Sequence, residues 1–204
     1  MTEQLEKIWK DEFGNSYTKR KLMVHEKEGQ LRRSFWKKLI DSLPSIKSCL
    51  EFGCNAGMNL EGIYNANSKI KLTGLEPNFE AFKCAQKIAK NRYEIINNDL
   101  FHLPENIKAD LVVTCTLLIH IHPEDLIEAT KKIFNASNSY ILSMEYYWPV
   151  LKEIEYRGHK NILWKRDFGA YWLDNYKLDI IDTGYLSPDE GFDRTTWWLL
   201  KKNN

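Results

Sequence analysis

The chain has 204 residues, 43% of them hydrophobic, which is enough for one domain with a substantial core. Its 29 basic and 28 acidic residues leave a formal net charge of +1, which argues against a dedicated nucleic-acid surface. No apolar run approaches the roughly 18 residues that span a membrane, the N-terminus is charged from Glu3 onward and reads as no signal peptide, and Cys49, Cys54, Cys84 and Cys115 form no CxxC pair, so a cytoplasmic protein with reduced thiols is expected.

Residues 2–14 predict a short amphipathic helix with Leu5, Ile8 and Trp9 on one face, broken at Gly14-Asn15-Ser16. A second helix is expected over about 28–43, with Leu31, Phe35, Leu39 and Ile40 inward and Pro44 after its end. Residues 1–44 thus read as an N-terminal helical cap within a single domain, 1–204. Strands at 48–52, 71–75, 93–97, 110–114 and 139–145 then alternate with helices at 58–64, 79–91 and 123–134. Such alternation predicts an α/β fold, a mostly parallel sheet with helices on both faces. Residues 178–183 and 195–201 read as two more strands joined without a helix, an antiparallel pair at the sheet edge. Residues 146–175 have no clean period, and a long irregular segment after a sheet strand is more often functional than filler. Trp148, Trp164, Tyr171, Trp172, Trp197 and Trp198 crowd the last third; core packing and a ring-binding wall both account for them.

The most informative run is residues 48–57, Ser-Cys-Leu-Glu-Phe-Gly-Cys-Asn-Ala-Gly. A strand ending near Glu51 turns through Gly53, Cys54, Asn55 and Gly57 into a helix, so backbone can approach a ligand where a Cβ would intrude. A dinucleotide fingerprint wants G-x-G-x-x-G; here Asn55 and Ala56 break that pattern, and a pyrophosphate cradle fits poorly. Glu76-Pro77 closes the second strand about 20 residues on, where a carboxylate accepts bonds from two ribose hydroxyls. Asn98-Asp99-Leu100 follows the third strand, placing an acid for an adenine amino group and an apolar side chain for its ring. Loop, ribose acid and adenine acid describe an adenosine without a pyrophosphate. Glu51 suits a cationic amino-acid portion.

These residues resemble the class I S-adenosylmethionine-dependent methyltransferases, through "LEFGCNAG", "LTGLEP", "NNDLFHLP" and "ADLVVTCTLLIHIHP" in order over about 48–145. The resemblance implies a Rossmann-like, seven-stranded fold with an antiparallel C-terminal edge strand and S-adenosyl-L-methionine as cofactor. It also implies that the loop glycines line the methionine part, Glu76 holds the ribose and Asp99 meets adenine. An N-terminal segment closing over the cofactor would bring Tyr17 and Arg20 to its carboxylate, although Arg20 sits in a Lys19-Arg20-Lys21 run that a solvated surface explains equally. The acceptor should enter beside the first and fourth strands, which places Thr116, His120 and His122 there. His120 is the candidate base, with a packing role as its alternative; the H-x-H pair lacks an obvious third ligand, so no metal is expected. Tyr146, Tyr147, Arg157, His159 and Arg166 are the acceptor-site candidates of the insert. "FGNSYTKR", "EYYWPV", "EIEYRGH" and "LWKRDF" further resemble the pseudaminic acid biosynthesis-associated methylases, which implies a sugar-like small-molecule acceptor from a surface-glycan pathway. Two rivals are a non-catalytic cofactor-binding module of a glycan complex and an NAD-dependent oxidoreductase. No N-P-P-Y-like segment follows the fourth strand, which opposes a nucleic-acid methyltransferase.

Overall fold

The computed structural model describes residues 3–203, with side chains from Lys7 onward; the expected contact of Leu5 lies outside the described side chains. Five apolar segments pair in parallel: β1 (Ser48–Phe52), β2 (Lys71–Leu75), β3 (Glu94–Ile96), β4 (Ala109–Cys115) and β5 (Ser137–Glu145). α3 (Met58–Ala66) follows β1, α4 (Phe79–Ala89) follows β2, and α5 (Leu126–Ala136) follows β4. Each central strand is buried on both faces. Cys49, Leu111, Val113 and Leu142 face one core with Trp36, Leu60 and Ile63. Leu50, Phe52, Val112 and Ile141 face the other with Ile119, Ile133, Phe168 and Trp172.

The insert forms a hairpin, β6 (Lys152–Glu153) with β7 (Trp164–Lys165), and then α6 (Phe168–Asn175). β8 (Leu178–Leu186) and β9 (Thr195–Lys202) complete a seven-stranded sheet ordered β3-β2-β1-β4-β5-β9-β8. The reversed strand is β9, antiparallel to both β5 and β8. Ligands in such sheets bind beyond the carboxyl ends of the strands, where the order reverses between β1 and β4. Trp172, Trp164 and Trp198 are buried core residues, whereas Trp148 is 41% exposed. Among the described residues no helix is long and apolar enough to cross a membrane.

The N-terminal region differs from expectation. α1 (Glu3–Lys10) ends at Asp11, and α2 (Glu12–Asp41) runs unbroken through Gly14-Asn15-Ser16. Gly14 is buried in the helix, and a Cβ there would lie 1.9 Å from the Trp9 carbonyl oxygen. Its small size lets α1 fold back tightly at Asp11; it serves close packing rather than a turn.

Candidate active site

A cleft opens at the carboxyl ends of β1, β2 and β4, roofed by Trp9, Gly14, Tyr17, Lys21 and His25 of α1 and α2. Its floor is the β1–α3 loop. Gly53 (φ 69°), Asn55 (φ 48°) and Gly57 (φ 81°) all take the left-handed conformation, which glycine adopts freely and asparagine tolerates. The Gly53 and Cys54 amides donate to the Leu75 carbonyl (2.8 and 3.0 Å). That fixes the loop against β2.

Glu51, 2% exposed, accepts a bond from Asn59 Nδ2 at Oε1 (2.7 Å), while Oε2 has no partner. Burial pushes its carboxyl up to about 8, against the pull of Asn59 and of the Arg32 guanidinium. Arg32 is itself buried. It donates to Asn59 Oδ1 (2.7 Å) and the Gly191 carbonyl (2.7 Å) and reaches Glu28 (3.3 Å). A buried carboxylate oxygen without a donor leaves room for a cation from a ligand.

Glu76 is 6% exposed and holds the Asn78 amide at Oε1 and the Asn55 amide at Oε2, both at 2.8 Å. Burial raises its pKa to about 7, although both amide bonds favour the ionised form. Each oxygen still has a lone pair toward the cleft. Asn78 also fastens the roof, donating from Nδ2 to the Trp9 carbonyl (3.0 Å) and Asn15 Oδ1 (2.9 Å). Asn55 Nδ2 donates to Thr18 Oγ1 (3.0 Å), and Asn55 Oδ1 is buried without a partner.

Asp99 caps the single turn Leu100–His102, accepting the Phe101 and His102 amides (3.0 and 3.1 Å) at Oδ1. Burial opposes its ionisation, but the His102 ring and Lys10 hold its pKa below the ordinary carboxylate value. Asp99, Leu100, Phe101 and Pro77 line the cleft; Asn98 stands behind, donating to the His102 carbonyl (3.1 Å).

On the β4 side, Thr116 sits at φ 51°, a strained conformation for a β-branched residue. The turn Leu118–His120 follows. Glu145, fully buried at the end of β5, accepts the amides of Leu117 (3.4 Å), Leu118 (3.1 Å) and Ile119 (3.3 Å) and so fixes that turn. Burial raises its pKa to about 7. His120 Nδ1 lies 2.7 Å from the Ile162 carbonyl, which can only accept. Nδ1 therefore carries the proton, and Nε2 keeps its lone pair. Burial lowers the His120 pKa to about 4. Trp9 packs on the ring at 4.4 Å between centroids, and Tyr156 lies 5.8 Å away.

Tyr17, Glu51, Gly53, Cys54, Asn55, Glu76, Pro77, Asp99, Leu100, Thr116 and His120 thus meet in one cleft. The other sequence candidates do not line it. Gly57 supports the loop from beneath, and Arg20 lies 5.8 Å from the Tyr17 ring with Nη2 buried and unpartnered. His122 stands edge-on to Trp164 (5.2 Å) and does not line the cleft. Tyr147 and Arg157 are exposed, Arg166 stacks on Tyr171 (4.2 Å), and His159 packs on Phe13 (5.3 Å) outside the cleft. Tyr146 is half-buried, and besides burial the nearby Asp193, Tyr17, Tyr156 and Cys115 raise its pKa. Trp9, Lys21, His25, Arg32 and Glu145 belong to the site and carry no local motif. Only the apolar face of α1 hinted at Trp9.

Residues 49–138 match the family model described as a methyltransferase domain. No curated protein matches the chain in sequence. Among solved structures, the chain is similar to a Burkholderia thailandensis 1,6-didemethyltoxoflavin N1-methyltransferase (10% identity, 94% of this chain, 89% of that one, TM-score 0.71). It is similar to the N-terminal domain of EvdMO1, solved in the presence of S-adenosylhomocysteine and D-fucose (14% identity, 85% and 83% covered, TM-score 0.64). It also matches the mitomycin 7-O-methyltransferase MmcR (14% identity, 78% of this chain, TM-score 0.61), of which it spans about half the length, 49%. At these identities the likeness is one of fold. The sheet order and helix arrangement are those of the class I methyltransferase fold. The matched methyltransferase domain lies within that sheet, and S-adenosylmethionine is the cofactor that the sequence resemblance implies.

The residues present fit that cofactor. The unpartnered Glu51 Oε2 suits an ammonium, the left-handed glycines leave the floor open, and the Glu76 carboxylate keeps lone pairs for a diol.

Proposed function

We propose that the protein methylates a small polyhydroxylated acceptor, a sugar or nucleotide-sugar of a pseudaminic-acid-type surface-glycan pathway, at a hydroxyl or amine beside His120. The observation that carries this reading is the roof. Asn78 ties the α1–α2 joint over the strand ends, and Trp9 lies on His120, so the reaction centre is closed to a bulky polymer. Aromatic rings around it, Trp9, Tyr17 and Tyr156, suit the apolar faces of a sugar ring. EvdMO1, similar in fold, was crystallised with D-fucose present, which agrees with a sugar acceptor.

When bound, the sulfonium supplies a methyl group activated for in-line displacement. In this reading Glu51 holds the ammonium, Glu76 the ribose diol, and Asp99 with Leu100 the adenine. Lys21, which lines the cleft, is the candidate cation for the carboxylate. His120, neutral through its Nδ1–H bond to Ile162, offers Nε2 to the acceptor hydroxyl and takes its proton as the oxygen attacks. Thr116 and the turn held by Glu145 set the distance between acceptor and loop.

The test is transfer of labelled methyl to free sugars, sugar phosphates and nucleotide-sugars, run beside a peptide and an oligonucleotide. Methylation confined to sugars supports the reading; methylation of peptide or oligonucleotide alone overturns it. Metabolite profiling of a deletion strain, looking for a sugar that lacks its methyl group, tests the pathway assignment.

A further inference from the structure

Lys152 and Lys165 stand directly opposite each other in the antiparallel β6–β7 hairpin, so their side chains share a face. Like charges in that position destabilise a ladder. A carboxylate partner would relieve them, yet the ion pairs among the described residues all involve other side chains. The acids nearest each lysine along the chain hold backbone amides. Glu153 accepts the Asn161 amide (2.8 Å) and Asp167 caps α6 at the Ala170 amide (2.9 Å). Each ammonium instead lies over a ring, Lys165 over Tyr146 (5.1 Å) and Lys152 over Trp148 (4.5 Å). Such contacts hold the charges in place without neutralising them.

The location gives this pair a use. Tyr146 immediately follows β5 and packs against the same core cluster as Leu117, which lines the cleft, and Tyr156, and Lys165 lies over its ring. On the outer side, Tyr147 and Trp148 are 45% and 41% exposed and offer flat faces to solvent. Two unneutralised ammonium groups, one resting on Tyr146 at the end of β5 and the other on exposed Trp148, match a diphosphate ester with a base attached.

We infer that Lys152 and Lys165 bind the diphosphate of the acceptor, which is therefore a sugar linked through diphosphate. This rests on the small-molecule reading above and narrows it. The flat rings favour a nucleoside as the group beyond the diphosphate. The neighbouring exposed Val150 and Leu151 make a polyprenyl chain the alternative source of the same ester.

The experiment titrates protein saturated with S-adenosylhomocysteine with UDP, inorganic pyrophosphate, farnesyl diphosphate and uridine, at low and high salt. UDP and pyrophosphate are expected to bind more weakly as salt rises, and uridine not to bind. Farnesyl diphosphate binding more tightly than UDP supports the same ester site with a lipid source. Lys152→Glu with Lys165→Glu should weaken diphosphate binding roughly 100-fold, about tenfold per lysine replaced, and leave S-adenosylmethionine affinity within about twofold. Both positions are at the surface of a short hairpin, so thermal unfolding should move little. Equal diphosphate affinity in wild type and double variant overturns the inference, as does absence of any diphosphate binding. Methylation of a nucleotide-sugar with the same kcat/KM in both proteins overturns it too, while leaving the small-molecule reading intact; methylation of peptide alone removes both.

Discussion

The two halves of the cleft are built differently. On the side proposed for the cofactor, two acids are held by backbone amides: Glu76 by those of Asn55 in the adjoining loop and of Asn78, Asp99 by those of Phe101 and His102. On the acceptor side the important contacts join distant segments. His120 is set by the Ile162 carbonyl and by Trp9, and its turn by Glu145 on the next strand. The cofactor half is thus a property of the sheet, whereas the acceptor half is assembled by a roof and an insert that close over it. Local construction makes one half tolerant of changes elsewhere in the chain. The other half should fail when any of three segments moves.

The largest effect expected is at Gly53. Valine there meets a left-handed φ of 69° and a Cβ position 3.0 Å from Leu117 Cδ1. A β-branched residue in that region is strongly strained. Gly53→Val should abolish measurable cofactor binding with a cooperative thermal transition retained; normal affinity would show that the floor does not need glycine. His120→Ala should lower methyl transfer by roughly 10²–10⁴-fold and change cofactor affinity by less than about threefold. Equal losses in both would merge the two halves that the geometry separates. Glu145→Ala should lower kcat about tenfold through a displaced Leu118–His120 turn, with cofactor affinity unchanged. A changed cofactor affinity with normal turnover would assign Glu145 to the other half.

The acids also give a pH signature. Glu51, Glu76 and Glu145 are raised to about 8, 7 and 7 by burial. The folded protein then binds more protons than the unfolded chain between the ordinary carboxylate range and those values. Their contribution to stability is present at low pH and is lost as pH rises through about 7–8. His120 acts oppositely: its lowered pKa costs stability as pH falls below the ordinary histidine value. The ligand-free protein should therefore melt lower at pH 8 than at about pH 6, and S-adenosylhomocysteine should narrow the gap by placing its ammonium on Glu51. A melting temperature independent of pH, with and without ligand, would contradict the buried-acid description.

The same division explains what was legible in the chain. β1, its loop, Glu76 and Asp99 are local signals: an apolar run, a turn and an acid within a few residues of one another. The left-handed Asn55 was also readable, because asparagine tolerates that conformation. Gly14 misleads because a helical glycine packed on the Trp9 carbonyl is identical in sequence to a helix breaker. Arg32 and Glu145 carry no motif; their roles come from partners 26 or more residues away, Asn59 and Gly191 in the first case and the Leu117–Ile119 amides of the turn after β4 in the second. The basic residues of the insert drew attention as a group. Yet Arg157, His159 and Arg166 turn from the cleft, and the cross-strand pairing that sets Lys152 against Lys165 is not visible without the hairpin register.

The central claim is that the strand-end acids hold the cofactor independently of the roof's acceptor machinery. Calorimetric titration of S-adenosylmethionine into Glu76→Ala tests it most directly. Loss of the charge-assisted bonds to the ribose should weaken binding by about 1–3 kcal/mol, roughly 10- to 100-fold. An affinity equal to that of the wild-type protein would remove Glu76 from the cofactor site and contradict the account.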